Sequence, residues 1–206
     1  MKVLMINGSP HEHGCTYTAL HEVEKKLAEH GIASEIFWIG SKPVPQCIAC
    51  RKCSETGRCI FDDSVNSIHE RIGEFDAMVV GSPVYYASAS AQVCAFLDRL
   101  FFSGGNDLAG MFGASVVSCR RGGASAAFDR LNKYFLIASM NVVSSQYWNQ
   151  VHGNTPEEVM QDLEGLQTMR TLGENLAYLL KCREAGKANG VPEPEYEKGI
   201  ATNFVR

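Results

Sequence analysis

Four of the eight cysteines lie within a stretch of thirteen residues, at Cys47, Cys50, Cys53 and Cys59. A short loop with this spacing can wrap around an iron–sulfur cluster and present successive thiolates to different iron atoms. Structural zinc sites more often use two pairs of cysteines that are separated by a longer span. We therefore expect these four residues to hold a [4Fe–4S] cluster, with zinc and metal-free or oxidised thiols as the alternatives.

The residues around these cysteines suit an anionic group. Arg51, Lys52 and Arg58 are interleaved with the thiols, and Gly57 allows a turn before the last of them. The apolar start of the chain is too short for a signal peptide, so we expect a cytoplasmic protein. Disulfides are uncommon in that reducing compartment, which favours metal ligation or redox chemistry for the cysteines.

A second set of polar residues follows the first apolar strand, in the stretch Asn7-Gly8-Ser9-Pro10 and the helix start beyond it. Hydroxyl groups and backbone amides at such a position bind phosphate groups in open α/β sheets. The stretch has neither the Gly-Lys-Ser/Thr of a P-loop nor a Gly-x-Gly-x-x-Gly fingerprint. The alternative is that these residues only turn the chain and cap the helix. The candidate phosphate-binding residues are Ser9, His11, Cys15, Thr16, Tyr17 and Thr18.

Two further loops carry residues that could surround a flat ring. The second loop, Pro83-Val84-Tyr85-Tyr86, follows another apolar strand, and the third is Cys119-Arg120-Arg121-Gly122-Gly123. Tyrosines can cover a ring face, arginines favour an anionic reduced flavin, and glycines let the backbone approach closely. Each loop alone also fits ordinary packing at a sheet edge and solvated surface charges. Together the three loops predict a site for flavin mononucleotide (FMN), with no side chain assigned to acid–base catalysis.

Apolar runs of strand length alternate with stretches of helical periodicity along the chain. This alternation predicts an α/β fold with a doubly wound, five-stranded parallel sheet in the flavodoxin-like order 2-1-3-4-5. We expect strands at residues 3–7, 33–39, 77–81, 114–118 and 140–144. We expect helices at residues 16–29, 65–72, 89–101 and 124–136, and from 155 to about 182, with the first helix ended by Gly31 and the second capped by Asp62 or Asp63.

Length and composition predict one main domain. The chain has 206 residues, of which 45% are hydrophobic, and a formal net charge of −4. We assign residues 1–184 to an FMN-binding domain, with a cysteine-rich insertion at 41–62 after the second strand, and 185–206 to a C-terminal extension. The acidic balance and the absence of a long apolar run predict neither a nucleic-acid nor a membrane partner.

These motifs resemble the NAD(P)H-dependent FMN reductase family of the flavodoxin-like superfamily, and within it the iron–sulfur flavoproteins. The resemblance rests on the first loop, the cysteine segment with its trailing Asp62-Asp63, the second loop and the closing residues 202–206. It implies non-covalent FMN, homodimers or homotetramers, and electron transfer between flavin and cluster across a subunit boundary. Many relatives carry a basic and a small polar residue in the first loop, where this chain has His11 and Cys15.

The expected function is electron transfer from NAD(P)H or a reduced ferredoxin through FMN to a small-molecule or small redox-protein acceptor. One alternative is a cluster-free NAD(P)H-dependent FMN or quinone reductase in which the cysteines form a lid. A second is a non-enzymatic, flavodoxin-like electron carrier or redox sensor. The three differ in whether iron and steady-state turnover are present.

Overall fold

The computed structural model describes residues 1–197, 200, 202 and 204. Four long strands form the centre of a parallel sheet, and three short ones are added to it at the edge and at the end of β3. The long strands are β1 (Lys2–Asn7), β2 (Ala33–Trp38), β3 (Ala77–Tyr85) and β5 (Phe112–Cys119). The short strands are β4 (Ser88–Ala89), β6 (Asn141–Val142) and β7 (Gln150–His152). The order β2-β1-β3-β5-β6 confirms the predicted 2-1-3-4-5 arrangement.

Seven helices accompany the sheet within the described residues. They are α1 (Cys15–Glu29), α2 (Cys53–Thr56), α3 (Ser64–His69), α4 (Ala91–Gly104), α5 (Ala124–Ile137), α6 (Pro156–Val159) and α7 (Leu163–Ala188). Alternate residues of β1 point into different cores, because successive side chains of a strand lie on opposite faces. Leu4 and Ile6 pack with residues of α3, α4 and α5, whereas Val3 and Met5 pack with residues of α1 and α7. The sheet is therefore covered on both faces.

The fifth strand differs from the prediction. Instead of one strand at 140–144, β6 pairs with the start of β5 at Phe112 and Gly113, and β7 pairs with its end at Val117–Cys119. The residues between leave the sheet where Ser145 forms local bonds: its hydroxyl lies 2.7 Å from both the Tyr147 carbonyl oxygen and the Asn149 side-chain oxygen. The apolar pattern alone did not separate the two halves.

The last helix and the cysteine segment also differ in detail. The predicted helix from 155 to 182 is two helices, because Asp162 accepts from the Gly165 N–H at 2.9 Å and caps a new helix, α7. The insertion, predicted to be irregular, contains the one-turn helix α2. The predicted helix 65–72 is α3, capped by Asp63, and a following 3-10 turn at Ile72–Glu74.

The C-terminal part of the chain differs from the predicted boundaries and lies partly outside the described residues. Helix α7 continues to Ala188, past the predicted start of the extension at 185, and the division into domain and extension stays a prediction. Of the closing residues that carry part of the resemblance, 203, 205 and 206 lie outside the described residues. In the described part of the chain, no helix is both long enough and apolar enough to cross a bilayer.

A charge pair ties the edge strand β2 to the 3-10 turn. The Arg71 guanidinium donates to both oxygens of Glu35, at 2.9 and 2.7 Å. These bonds, against a smaller opposing effect of burial, lower the pKa of the Glu35 carboxyl to about 2. Both side chains are partly exposed, so water screens much of the interaction.

We expect Glu35→Gln to lower the free energy of unfolding at pH 7 by about 1 kcal/mol, the range of a screened pair. A lowered carboxyl pKa stabilises the fold above the ordinary glutamate pKa of about 4.3, and this contribution is lost as the pH falls toward the folded value. Urea unfolding at pH 7 and pH 3 measures the difference. A Glu55→Gln control, whose partner Lys52 is highly exposed, should match the parent at both pH values. An equal deficit for Glu35→Gln at both pH values would contradict the linkage.

Candidate functional site

The first and second loops meet because β1 and β3 are parallel neighbours whose carboxyl ends coincide. Asn7 is paired with Gly81, and the Gly8 N–H donates to the Gly81 carbonyl at 2.8 Å. Ser90, the cap of α4, then joins both loops: its hydroxyl donates to the Gly8 carbonyl at 2.8 Å, and its N–H donates to the Ser82 hydroxyl at 2.9 Å. The two loops are thus held as one unit at the sheet edge.

Hydrogen bonds within the first loop fix its shape. The Asn7 side chain donates to the Glu12 carbonyl at 2.9 Å and accepts from the Ser9 N–H at 3.1 Å. The His11 N–H donates to the Ser9 hydroxyl oxygen at 3.1 Å, which leaves the hydroxyl proton of Ser9 able to bond a ligand. The Trp38 indole N–H donates to the Ser9 carbonyl at 2.8 Å and anchors the loop to the end of β2.

The loop leads into α1 through Gly14, an N-cap for which the structure records no side-chain capping bond among its described residues. The first N–H groups of a helix lack carbonyl partners within the helix, and the helix dipole makes this end positive. A side chain on Gly14 would approach the His11 side chain to 3.0 Å and the Ser9 hydroxyl oxygen to 3.8 Å. The free amides and the Ser9 hydroxyl therefore lie together.

The other candidates of this loop are placed less favourably for a phosphate. The Thr16 hydroxyl is buried and bonds the Ser118 hydroxyl at 2.9 Å, and the Thr18 hydroxyl donates to the Gly14 carbonyl at 3.2 Å. The Tyr17 ring lies between the rings of His13 and His21, with centroids 4.8 and 5.5 Å away. His11 is exposed. Thr16 and Tyr17 can still bind an anion through their backbone N–H groups at the start of α1.

The second loop is a hairpin rather than an open loop. Pro83, Val84 and Tyr85 continue β3, and β4 returns antiparallel with Val84 opposite Ala89. The turn residues Tyr86 and Ala87 have φ of +49° and +58°, as the primed turns of tight hairpins require. A non-glycine residue keeps such a strained φ only where the surrounding structure enforces it, and such residues are common at ligand sites. Tyr85 is half exposed and Tyr86 is fully exposed at the tip.

The third loop packs directly against this hairpin. Gly123 has a φ of +92°, and a Cβ there would lie 2.6 Å from the Cα of Ala87. Cys119 is buried, with its thiol donating to the Gly122 carbonyl at 3.0 Å. Arg120 and Arg121 are exposed next to the hairpin's contact point. The structure therefore brings the second and third loops together, as the sequence predicts.

Cys15, which the sequence analysis singled out, and His152, which it did not, both lie at this edge of the sheet. The Cys15 thiol faces the Gly153 carbonyl at 3.8 Å, and burial raises the pKa of that thiol, so it is protonated at neutral pH. His152 shares a hydrogen bond of 3.1 Å with the Cys119 carbonyl through Nδ1. Sequence reasoning missed His152 because the strand that carries it, β7, is only three residues long.

All four clustered cysteines line one cavity, together with Arg99, Phe102 and residues of the same segment. Ala49 and Arg51 have positive φ, and Lys52 after them is right-handed, with φ −60° and ψ −32°. Alternation of hand turns successive N–H groups toward an anion, as at many iron–sulfur sites. Within the described residues, no group of three or more His, Cys, Asp or Glu side chains is arranged to hold a metal ion.

Two buried residues that the sequence analysis did not single out hold Cys59. The Asn66 side chain accepts from the Cys59 N–H at 3.0 Å and donates to its carbonyl at 2.9 Å. Arg99, on α4, donates from Nε to the Cys59 Sγ at 3.2 Å and pairs with both oxygens of Asp63 at 2.7 and 2.8 Å. Burial lowers the pKa of Arg99, but the bonds to Asp63 and Cys59 outweigh this and the pKa lies above its usual value.

The cysteine segment and the loops at the sheet edge are neighbours within one chain. A cavity of about 580 Å³ is lined by Pro10 of the first loop, Tyr85 of the second, and Pro43, Val44 and Gln46 at the entrance to Cys47. Its remaining wall is the start of α4, where Gln92 donates to the Gly40 carbonyl at 2.6 Å. The two candidate sites thus share a boundary.

Comparison with known proteins identifies the family of this chain. The sequence profile of the NADPH-dependent FMN reductase family matches residues 1–155. An iron–sulfur flavoprotein of Methanocaldococcus jannaschii is 34% identical over 191 residues, which cover 88% of this chain and 98% of that protein. The chain belongs to this family, within its iron–sulfur flavoproteins. As a member it is an FMN-dependent oxidoreductase.

Other relatives agree with this assignment. An iron–sulfur flavoprotein of Methanosarcina thermophila is 27% identical over 186 residues, which cover 88% of this chain and 96% of that protein. A flavodoxin from the domain Archaea superposes with a TM-score of 0.60 at 16% identity, covering 88% of this chain and 99% of that chain. The latter likeness shows the flavodoxin-like fold, which the sequence predicts. The individual site residues in this family member stay predictions.

We expect Gly123→Ala to weaken FMN binding at least tenfold, because the new Cβ must push the third loop away from Ala87. Fluorescence titration of the FMN-free protein with FMN measures the affinity. Gly31→Ala is the matched control, since Gly31 also has a positive φ, +72°, but among the described residues beyond its chain neighbours no atom lies within 4 Å of its would-be Cβ. The control should lose about 1 kcal/mol of stability and bind FMN normally. Equal FMN affinity in both variants would contradict a close loop contact at the site.

Proposed function

We propose that this protein binds FMN at the three loops and a [4Fe–4S] cluster at Cys47, Cys50, Cys53 and Cys59, and transfers electrons between them. The proposal rests on one observation: the two candidate sites adjoin, because the chain entering Cys47 lines the same cavity as Pro10 and Tyr85. Bound FMN supplies two-electron exchange with a donor and one-electron exchange with a cluster. The residues of this chain supply binding, orientation and charge.

The phosphate of FMN fits the first loop. Ser9 offers a hydroxyl proton, and the start of α1 offers unpaired backbone N–H groups at the positive end of the helix dipole. The loop needs little rearrangement to bind, because Asn7 and Trp38 already hold it from both sides. The contributions of His11, Cys15, Thr16, Tyr17 and Thr18 are then through backbone amides and loop shape.

The ring of FMN fits beside the junction of the second and third loops. Pro83 and Val84 fix the hairpin, while Tyr85 and Tyr86 offer exposed aromatic faces. Arg120 and Arg121 bring positive charge to the same edge, which favours the anionic form of a reduced flavin. Cys119, Gly122 and Gly123 let the backbone of the third loop lie close to the ring. The exposed Tyr86 would border the entrance for a donor or acceptor.

The cysteine segment fits a cluster better than a single metal ion. Four thiols at residues 47, 50, 53 and 59 that line one cavity suit a group in which each thiolate binds a different iron. Structural zinc sites more often use two pairs of cysteines that are separated by a longer span. The left-handed residues Ala49 and Arg51 and the buried cation of Arg99 both provide for a negatively charged group.

The donor is NAD(P)H or a reduced ferredoxin, and the acceptor is a small molecule or a small redox protein. We also propose that copies of this chain associate as a homodimer or homotetramer. The apolar side chains of Ile48, Ile60 and Phe102 surround the cysteine cavity and are about half exposed in one chain. A second copy that covers them would exclude water from the cluster and shorten the path between redox groups.

We expect Ser9→Ala to weaken FMN binding about tenfold, as the loss of a hydrogen bond to a charged group predicts. Binding of riboflavin, which lacks the phosphate, should change little, so the ratio of the two affinities is the measurement. Ser67→Ala is the control, because this exposed hydroxyl bonds the Ser64 carbonyl in α3. If Ser9→Ala weakens both ligands equally, the first loop does not bind the phosphate.

We expect anaerobically purified protein to contain about four iron and four sulfide per chain, as a [4Fe–4S] cluster requires. Cys50→Ser and Cys53→Ser should lose most of the iron and the broad visible absorption while retaining FMN. Cys182→Ser, which changes an exposed thiol on α7, should keep both. Flavin bands alone in the parent protein would instead favour the cluster-free reductase, and flavin without NAD(P)H or ferredoxin turnover would favour a carrier.

A further inference from the structure

The guanidinium of Arg99 is the most completely bound charge in the described part of the chain. Its side chain is 0% exposed. It makes five contacts, all with residues 45–63: the Cys59 thiol, the two Asp63 oxygens, the Phe61 carbonyl at 3.1 Å and the Pro45 carbonyl at 3.4 Å. An arginine has five N–H donors in a rigid fork, so the side chain binds one segment with its full capacity.

Only one of these contacts reaches a candidate cluster ligand. Nε donates to the Cys59 Sγ at 3.2 Å, on the side of the fork that Asp63 does not occupy. The Phe61 ring lies 5.0 Å from the guanidinium carbon and covers the same cation. The carboxylate of Asp63 is partly exposed and also caps α3, so it keeps a second function if Arg99 is changed.

We propose that Arg99 is a positioning residue that fixes Cys59 and, by donating a hydrogen bond to its sulfur, favours the reduced state of the cluster. This inference rests on the proposed cluster. Reduction adds one electron and one negative charge, and a buried cation with an N–H···S bond stabilises the more negative state more strongly. Hydrogen bonds to cluster sulfurs are a recognised control of reduction potential.

The consequence for electron transfer is directional. An electron that leaves reduced FMN for the cluster needs an acceptor of sufficient potential, and no proton has to accompany it at the thiolate. Asp63 balances the formal charge of Arg99, so Arg99 would raise that potential through the N–H···S bond that it directs at Cys59 from a fixed position on α4. A Lys at this position would keep the charge but lose the fork, because one ammonium cannot reach Asp63, Cys59 and both carbonyls together.

The test compares Arg99→Gln, Arg99→Lys and the paired variant Arg99→Gln with Asp63→Asn, in which neither charge is left alone. Mediated redox titration of the FMN-loaded, anaerobic protein gives the cluster and flavin potentials separately by their spectra. We expect Arg99→Gln and the paired variant to lower the ratio of reduced to oxidised cluster about tenfold at a set potential, about 59 mV for a one-electron couple. The flavin potential should not move.

Limited trypsin digestion tests the positioning directly and does not require iron. Arg51, Lys52 and Arg58 are exposed in the segment, so cleavage there should be faster in all three Arg99 variants than in the parent. Arg170→Gln, which removes an arginine that pairs with Glu22 on the other face of the sheet, is the control and should match the parent in both measurements.

An unchanged cluster potential in Arg99→Gln and the paired variant overturns the redox inference, and unchanged cleavage overturns the positioning one. A parent protein without iron overturns the proposed cluster and the redox inference together. In that case the digestion still decides whether Arg99 positions the segment, so the two failures are distinguishable.

Discussion

The parallel pairing of β1, β3 and β5 is the constraint on which both candidate sites depend. Parallel neighbours end at the same edge, so the polar residues that follow each strand must share that edge. The register brings Asn7 beside Gly81, and Pro83 beside Ser118 near the end of β5. At Gly8, Gly81 and Gly123 a Cβ would lie less than 3 Å from a neighbouring atom, so glycine is what allows the chain to pack this closely there. The loops converge because the sheet permits no other placement.

Helix α4 connects the loops at the sheet edge to the cysteine segment. Its cap, Ser90, binds the first and second loops, and Gln92 holds the chain that leaves β2. Two turns further on, Arg99 holds the segment that contains Cys59. One rigid element therefore sets the position of the thiols relative to the loops. A helix is well suited to this because its residues at successive turns lie on one face.

The fold was largely predictable from the sequence, and the sites were predictable only in part. Continuous apolar runs such as Val3–Ile6 indicate buried parallel strands, and the cysteine spacing indicates a candidate ligand segment from the sequence alone. Hydroxyl partners were not predictable: Thr16 bonds Ser118, a residue 102 positions away, and so turns inward. Arg99 was also invisible, because one arginine in an apolar helix has no spacing pattern that separates it from surface charge. In both cases a contact with a residue distant in the sequence determines where the side chain lies.

The burial of Arg99 is not explained by stability alone. A buried ion pair is often replaceable by apolar residues of similar volume at no loss of stability, because removing two charges from water offsets their attraction. Asp63 neutralises the guanidinium with two bonds, yet the remaining donors reach the Phe61 and Pro45 carbonyls and the Cys59 sulfur. An apolar residue could fill the space but could not orient three separate points of an irregular segment. What the charge adds is a defined position for a thiol in a stretch of chain with little regular structure.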